Sequence, residues 1–207
     1  LLIGAATLAL TAGAALAETV IIGHFGSPTP MQVARAEGKF DAATGWTIEW
    51  RQFGSGTEVI AAMASGDVQV AELGSSPLAI GTSQGLEIQL FMIAQGLGTA
   101  ESLIAKAGSG ITRIEDLKGK RIAVPVGSTA HYSLMGALTY AGIAETDVTI
   151  MNLPADQIAA AWDSGQVDAA FIWEPVQNQI LQTGTFIVGA DQTAAWGFPT
   201  FDGWVVN

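Results

Sequence analysis

The chain has 207 residues, with nineteen acidic and eight basic side chains and a formal charge of −11 at neutral pH. This balance argues against nucleic-acid binding, because contacts to phosphates need a basic face. The absence of cysteine excludes a disulfide framework, and with only two histidines no metal site is expected. Because 49% of the residues are hydrophobic, the chain can form the core of one large domain or two small ones.

Residues 1–17 are uncharged and end in Ala15-Leu16-Ala17, the small-x-small pattern of a signal-peptide cleavage site. The apolar run is short for a membrane span, and the alternative is a buried N-terminal helix. We expect a partial signal peptide, because neither a Met nor a basic segment precedes Leu1, and a mature protein that begins at Glu18. Export would place this cysteine-free protein in an oxidising compartment such as the periplasm.

The first half of the mature chain has the pattern of alternating strands and helices. Residues 20–30 predict a strand, a Gly26-Ser27 turn and a helix start, and residues 46–53 predict a second strand. Residues 61–77 predict a helix closed by Ser-Gly, a short strand, and a turn that opens the next helix. That turn places the hydroxyls of Ser75 and Ser76 between a buried strand and a helix N-terminus.

The second half repeats this order. Residues 121–135 predict a strand, a Gly127-Ser128-Thr129 turn and a helix, and residues 148–154 predict another strand. Residues 160–175 repeat the Ala-Ala, Ser-Gly and final Pro of residues 61–77. Chance similarity between two α/β segments is the alternative, but two matched pairs in the same order favour a repeat.

The fold class that follows is α/β, with two similar lobes, mostly parallel sheets and two crossover strands between them. We expect lobe 1 at 18–100, lobe 2 at 101–201 and a returning hinge strand at 202–207. The outward crossover bends at glycines in 94–108 and then forms a strand over 102–106. Because ligands of parallel sheets sit at the carboxyl ends of the strands, the two lobes should share one binding cleft.

These segments resemble the type II periplasmic solute-binding proteins of the aliphatic sulfonate, nitrate and taurine superfamily, and within it the taurine-binding members. The resemblance covers the mature chain and is carried by residues 64–79, 119–138, 158–175 and 196–206. It implies a non-enzymatic, monomeric periplasmic receptor without a cofactor, which closes over one ligand and delivers it to an ABC permease in the inner membrane. It also implies C-terminal helices beyond Asn207, so we expect a chain truncated at both ends.

Taurine carries a sulfonate, which is ionised near neutral pH and needs hydrogen-bond donors. No Lys or Arg stands in the four predicted strand-end turns, so we expect neutral donors, namely backbone N–H groups at helix starts and adjacent hydroxyls. The candidates are Gly26, Ser27, Ser75, Ser76, Ser128 and Thr129. The alternative for each hydroxyl is an ordinary N-cap, but the convergence of three such turns on one cleft favours a ligand.

Two further candidates follow Thr129 within the first turn of the predicted helix. His131 and Tyr132 are expected to belong to the ligand shell, because that turn faces the cleft. His131 is either a donor to the ligand or a partner in capping the helix.

The ammonium of taurine would need an acid, and Asp202 in the returning strand is the candidate. Trp204 beside it and Trp173 at the end of the repeated strand are expected as aromatic walls. The alternatives are a solvated hinge aspartate and two core tryptophans. Glu174 is interpreted as a cap before Pro175.

Other functional classes have less support. The chain contains no complete nucleotide-binding or hydrolase motif, and Ser133 and His131 point differently on one helix, so an enzyme is not expected. The effector-binding domain of a transcription regulator shares the two-lobed fold but would not be exported. Within transport, another alkanesulfonate, nitrate or a pyrimidine precursor stays open as the ligand, since the choice of taurine rests mainly on Asp202.

Overall fold

The computed structural model describes residues 19–207, and the predicted signal peptide at 1–17 lies outside the described residues. The described chain forms two lobes, each built on a five-stranded sheet with helices against it.

The first lobe holds the beginning and the end of the described chain. Its strands are β1 (Thr19–His24), β2 (Thr47–Gln52), β3 (Val70–Gly74), β4 (Gln89–Gly96) and the last strand of the chain, β10 (Phe201–Val206). Its helices are α1 (Pro30–Ala36), α2 (Lys39–Thr44), α3 (Gly56–Ala64) and α4 (Ser75–Ser83). The strand order is β2-β1-β3-β10-β4, and β10 runs antiparallel to both of its neighbours.

The second lobe is built in the same way. Its strands are β5 (Glu101–Lys106), β6 (Arg121–Val124), β7 (Thr149–Asn152), β8 (Ala169–Trp173) and β9 (Gly184–Gly189). Its helices are α5 (Thr129–Tyr140), α6 (Ala155–Asp163), α7 (Val176–Leu181) and α8 (Ala190–Ala195), with short 3₁₀ turns at Ile114–Leu117 and Glu145–Asp147. The strand order is β7-β6-β8-β5-β9, with β5 antiparallel to its neighbours.

The two sheets correspond strand for strand, which confirms the predicted α/β fold of two similar lobes. In each sheet the crossover strand, β10 or β5, occupies the fourth position. The sheets are nevertheless mixed rather than mostly parallel. Each crossover strand enters its sheet from the other lobe and runs opposite to its neighbours, so each sheet has two parallel and two antiparallel pairings.

The repeated Ser-Gly pairs end α3 and α6 in the same way. Ser65 and Ser164 are the C-cap residues, and Gly66 and Gly165 follow with φ of +79° and +74°. Glycine takes this left-handed conformation without steric cost, and so it stops a helix and turns the chain. The sequence repeat therefore encodes the same helix-to-strand turn in both lobes.

The two lobes differ in how well their sheets are covered. In the second lobe, helices cover both faces, and the core residues include Phe171 on one face and Trp162 on the other. In the first lobe, β4 leaves the side chains of Leu90–Ile93 exposed.

No helix within residues 19–207 has the length and apolar composition needed to cross a membrane.

Candidate functional site

A cavity of about 100 Å³ lies between the lobes at the carboxyl ends of the strands. The ends of β3 and β8 contribute Gly74 and Trp173 to its lining, and the segments after β1 and β6 contribute Ser27 and Thr129. The crossover strands contribute acidic side chains. The cavity is smaller than the roughly 300–1,000 Å³ of pockets for drug-sized molecules, so it suits a small ligand.

Two carboxyl groups from the crossover strands line this cavity, that of Glu101 buried and that of Asp202 partly buried. Asp202 in β10 accepts a hydrogen bond from Gln95 Nε2 at 3.4 Å, and Glu101, the first residue of β5, accepts one from Thr129 Oγ1 at 2.6 Å. Burial raises the pKa of Asp202 to about 6, against the bond from Gln95, which lowers it. Burial raises the pKa of Glu101 to about 8, and repulsion from Asp202 adds to this effect.

A third carboxyl lies behind these two. Glu72 in β3 is 2% exposed and stands two residues before Gly74, which pairs with Asp202 in the antiparallel register, so both acids share one face of the sheet. Burial, and then the charge of Asp202, raise the pKa of Glu72 to about 7. Within residues 19–207, no Lys or Arg lines the cavity and no cluster of metal-ligating side chains is found. The arrangement therefore favours a cationic group in the cavity.

A second, wider opening of about 520 Å³ adjoins the first and shares Ser128 with it. The first residues of α4 and α5 line it, including Ser75, Ser76 and His131, and no described carboxylate does. The free N–H groups and the dipole of a helix N-terminus favour an anion. The cleft thus has buried acids on one side and two helix N-termini on the other.

The two lobes are in contact around the cavity. Ser27 Oγ of the first lobe donates a hydrogen bond to the carbonyl of Glu174 at 3.2 Å, and the rings of Phe25 and Trp173 meet edge to face with centroids 6.0 Å apart. A Cβ placed on Gly74 would lie 2.7 Å from Thr129 Cγ2. The structure therefore represents a closed arrangement of the lobes.

Residues 27–206 match the NMT1/THI5 like family. The chain belongs to this family. It is 44% identical over 202 residues to the taurine-binding periplasmic protein of Escherichia coli (strain K12), an alignment that covers 98% of this chain and 62% of that protein. The chain therefore spans less than two thirds of the length of this relative.

A second relative is the putative aliphatic sulfonates-binding protein of Bacillus subtilis (strain 168), which is 32% identical over 161 residues, or 76% of this chain and 48% of that protein. Among solved structures, the alkanesulfonate-binding protein SsuA from Xanthomonas axonopodis pv. citri bound to MOPS matches with a TM-score of 0.84. Its identity is 23%, and the match covers 93% of this chain and 67% of that one. This structural match shows a shared fold.

In this NMT1/THI5-like chain the predicted ligand residues fall into three groups. The first cavity is lined by Ser27, Ser128, Thr129, Trp173 and Asp202, and the second opening by Ser75, Ser76, Ser128, His131 and Tyr132. Gly26 and Trp204 line neither space.

Four of the predicted hydroxyl residues already have hydrogen-bond partners in the protein. Ser75 Oγ accepts a hydrogen bond from the backbone N–H of Phe201 at 3.3 Å. Thr129 donates to Glu101 rather than facing an anion, and Ser27 donates to the carbonyl of Glu174. Ser128 Oγ accepts a hydrogen bond from the backbone N–H of His131, as an N-cap does, but keeps its own proton to donate. The hydroxyl protons of Ser27 and Thr129 are therefore already used within the protein.

The environment of His131 favours a capping role. Its Nδ1 accepts a hydrogen bond from the N–H of Gly127 at 3.3 Å, and burial lowers the pKa of the ring, which is therefore neutral at neutral pH. Tyr132 is 42% exposed and contacts Phe198 edge to face.

Two expected positions need correction. Trp204 was expected as an aromatic wall, but it is 3% exposed and packs in the core with Val20 and Ile22. It shares a sheet face with Asp202 but lies two residues deeper along β10. Gly26 holds the turn after β1 with φ of +79°, and its N–H donates to His24 Nδ1 rather than to the cavity.

Sequence reasoning missed Glu101 and Glu72. Glu72 lies inside an apolar strand and Glu101 at the start of another, where periodicity predicts burial but gives no functional signal. For Glu72, its position within a predicted buried strand was a signal that could have been used, because buried carboxyls without a counter-charge are rare outside functional sites.

Proposed function

We propose that this protein is the periplasmic solute-binding receptor of an ABC importer and that it captures taurine. The observation that carries the proposal is the polarity of the cleft, with buried carboxyls on one side and the N-termini of α4 and α5 on the other. A small zwitterion with an ammonium and a sulfonate has the matching polarity. The 44% identical relative named as a taurine-binding periplasmic protein supports this ligand.

In the proposed complex the ammonium pairs with Asp202, which is mostly ionised at neutral pH because its pKa is about 6. The sulfonate accepts hydrogen bonds from backbone N–H groups at the helix starts and from the hydroxyl of Ser128. Closure of the lobes removes water, and this strengthens both interactions. A ligand without an ammonium would leave Asp202 buried and unpaired, which disfavours binding.

The proposed role is binding and release without chemistry. A fold by itself does not decide this point, and the support comes from the relatives, which are named as binding proteins. The receptor would act as a monomer in the periplasm and deliver the ligand to an inner-membrane permease.

Another alkanesulfonate is the second candidate ligand. The wider opening beside the cavity could hold a larger tail, and the relative named as a putative aliphatic sulfonates-binding protein supports this class. Nitrate or a pyrimidine precursor has less support, because such ligands carry no cationic group for the buried acids.

Calorimetric titration of the full-length protein with taurine and with ethanesulfonate tests the proposal. We expect taurine to bind at least about tenfold more tightly, since an unpaired buried carboxylate costs on the order of 1–3 kcal/mol. Equal affinities would leave a sulfonate receptor in which Asp202 has no role in selection. Binding of neither ligand would contradict the proposed function and turn attention to nitrate and pyrimidine precursors.

A further inference from the structure

The environment of Glu101 is unusual for a carboxylate. The side chain lines the cavity and is 2% exposed; its Oε1 accepts the hydrogen bond from Thr129, but its Oε2 is buried without a hydrogen-bond partner in residues 19–207. Buried polar atoms are normally paired, and an ionised carboxylate with one bare oxygen is especially unfavourable.

No neighbouring positive charge stabilises the ionised form of Glu101 within residues 19–207. Asp202 on β10 and Glu72 on β3 are acidic, and Glu174, which follows β8, is a further acid at the cavity. The elements packed against β5 are β8, β9, α7 and α5. The first three carry no charged residue within their bounds, and the titratable groups of α5 are His131, whose ring lines the other opening, and two tyrosines. Lys106, at the other end of β5, donates to the carbonyl of Trp162. No Lys or Arg among residues 19–207 lines the cavity, so a ligand is the source of positive charge that we consider.

We propose that Glu101 carries a proton in the empty receptor and releases it to solvent when a ligand ammonium enters the cavity. The inference rests on the proposed function and extends it, because it makes Glu101 a second determinant of selectivity beside Asp202. The carboxylic acid of Glu101 loses its proton to the buffer. The carboxylate that remains pairs with the ammonium of the ligand, which keeps its own protons. The pKa of Glu101, which burial raises to about 8, is consistent with a protonated acid at neutral pH.

A different occupant of the cavity would give a different result. If the sulfonate entered there instead, the protonated acid would donate a hydrogen bond to it, and no proton would leave. Proton release therefore reports which end of the ligand meets Glu101.

The experiment is calorimetric titration of taurine into the full-length protein at about pH 7, in buffers with different enthalpies of ionisation. The buffer dependence of the binding enthalpy gives the number of protons released. We expect close to one proton per taurine, and a smaller number above about pH 8, where Glu101 is already ionised. Ethanesulfonate, which lacks the ammonium, should release none.

Two variants assign the proton. Glu101→Gln should abolish the release, whereas Glu174→Gln, the same change at another acid that lines the cavity, should retain it. Release that persists in Glu101→Gln would overturn the assignment to Glu101. If that variant fails to fold, equal release with taurine and ethanesulfonate, or no release with taurine, in the unaltered protein would still overturn the inference.

The possible results separate this inference from the proposed function. Tight taurine binding with no proton release, or with proton uptake, would overturn the inference and leave the receptor function standing. Failure to bind taurine at any pH would instead contradict the proposed function.

Discussion

At the scale of single residues, Asp202 is the side chain on which selectivity for an ammonium is expected to depend. It lines the cavity, is partly buried, accepts a hydrogen bond from Gln95, and is expected to be ionised at neutral pH. Asp202→Asn keeps the shape and removes the charge, so taurine affinity should fall about 30-fold or more, which corresponds to roughly 2 kcal/mol. Ethanesulfonate affinity should be unchanged or higher, because no buried charge is then left unpaired. Calorimetric titration of both ligands gives the comparison.

Glu174→Gln is the matched control for this change. Glu174 also lines the cavity, but its Oε2 accepts a hydrogen bond from the N–H of Asn178, in keeping with its interpretation as a cap. Its substitution should alter the preference for taurine over ethanesulfonate much less. If Asp202→Asn weakened both ligands equally, Asp202 would have a structural role and not a selective one.

The same residues show what the sequence could reveal. The position of Asp202 in the lining of the cavity was predictable, because the returning strand passes a cleft formed by strand ends. Trp204 was placed wrongly, because the alternation of side chains along a strand indicates the face of the sheet but not the distance from the cavity. The hydrogen bond from the Thr129 hydroxyl to Glu101 was not predictable either. Thr129 begins α5, whereas Glu101 lies on β5, a distant part of the sequence.

At the scale of elements, the end of β3 allows the two lobes to meet. Gly74 has φ of −70°, which alanine also adopts, but an added Cβ would lie 2.7 Å from Thr129 Cγ2 in the other lobe. Gly74→Ala should therefore hold the cleft slightly open without straining its own backbone. We expect taurine affinity to fall roughly tenfold, since forced overpacking costs on the order of 1–3 kcal/mol. Small-angle X-ray scattering with saturating taurine should show a larger radius of gyration than for the unaltered protein.

Gly96→Ala provides the control for a glycine in a strand of the same sheet. A Cβ at Gly96 would meet no atom within 4 Å. This variant should bind taurine normally and close normally. Normal affinity in Gly74→Ala would contradict the idea that the lobes approach this closely when the ligand is bound.

The elements themselves were predictable where the signal was local. The Ser-Gly helix ends and the alternating strands recur in both halves, and the structure shows them as α3 with β3 and α6 with β8. The direction of the crossover strands was not predictable in this way. It depends on which lobe a strand leaves and which sheet it enters, and this information is absent from the pattern of a single segment.

At the scale of the whole molecule, the buried acids should make the stability of the empty receptor depend on pH. The folded-state pKa values of Glu72, about 7, and Glu101, about 8, are raised above their ordinary values, so the folded protein holds protons that the unfolded chain has released. Where the folded state binds more protons, the free energy of unfolding falls as the pH rises. Asp202, whose pKa is raised to about 6, acts in the same direction at lower pH. The window in which Glu72 and Glu101 dominate begins near pH 6.5.

Below that window other groups act in the opposite direction. Burial lowers the pKa values of His24 and His131, so below about pH 6.5 the unfolded chain binds more protons at these two sites, and their contribution to stability rises with pH. The bond from Arg121 lowers the pKa of Asp168, whose stabilising contribution is lost only at acidic pH. Between about pH 6.5 and 8 these contributions are nearly constant, and the slope reports Glu72 and Glu101.

Thermal unfolding of the full-length protein at pH 6.5 and pH 8, with and without saturating taurine, measures this slope. The melting temperature of the empty protein should fall by several degrees between the two values, because ionising buried carboxyls costs free energy that only the folded state incurs. Taurine should raise the melting temperature more at pH 8, since its ammonium then meets a carboxylate that is already ionised. Glu101→Gln should reduce the slope of the empty protein to the contribution of Glu72. A melting temperature that stays constant or rises between pH 6.5 and 8 would contradict this prediction, because it would mean that Glu72 and Glu101 are solvated. The cavity in solution would then be more open to water than the closed arrangement of the lobes implies.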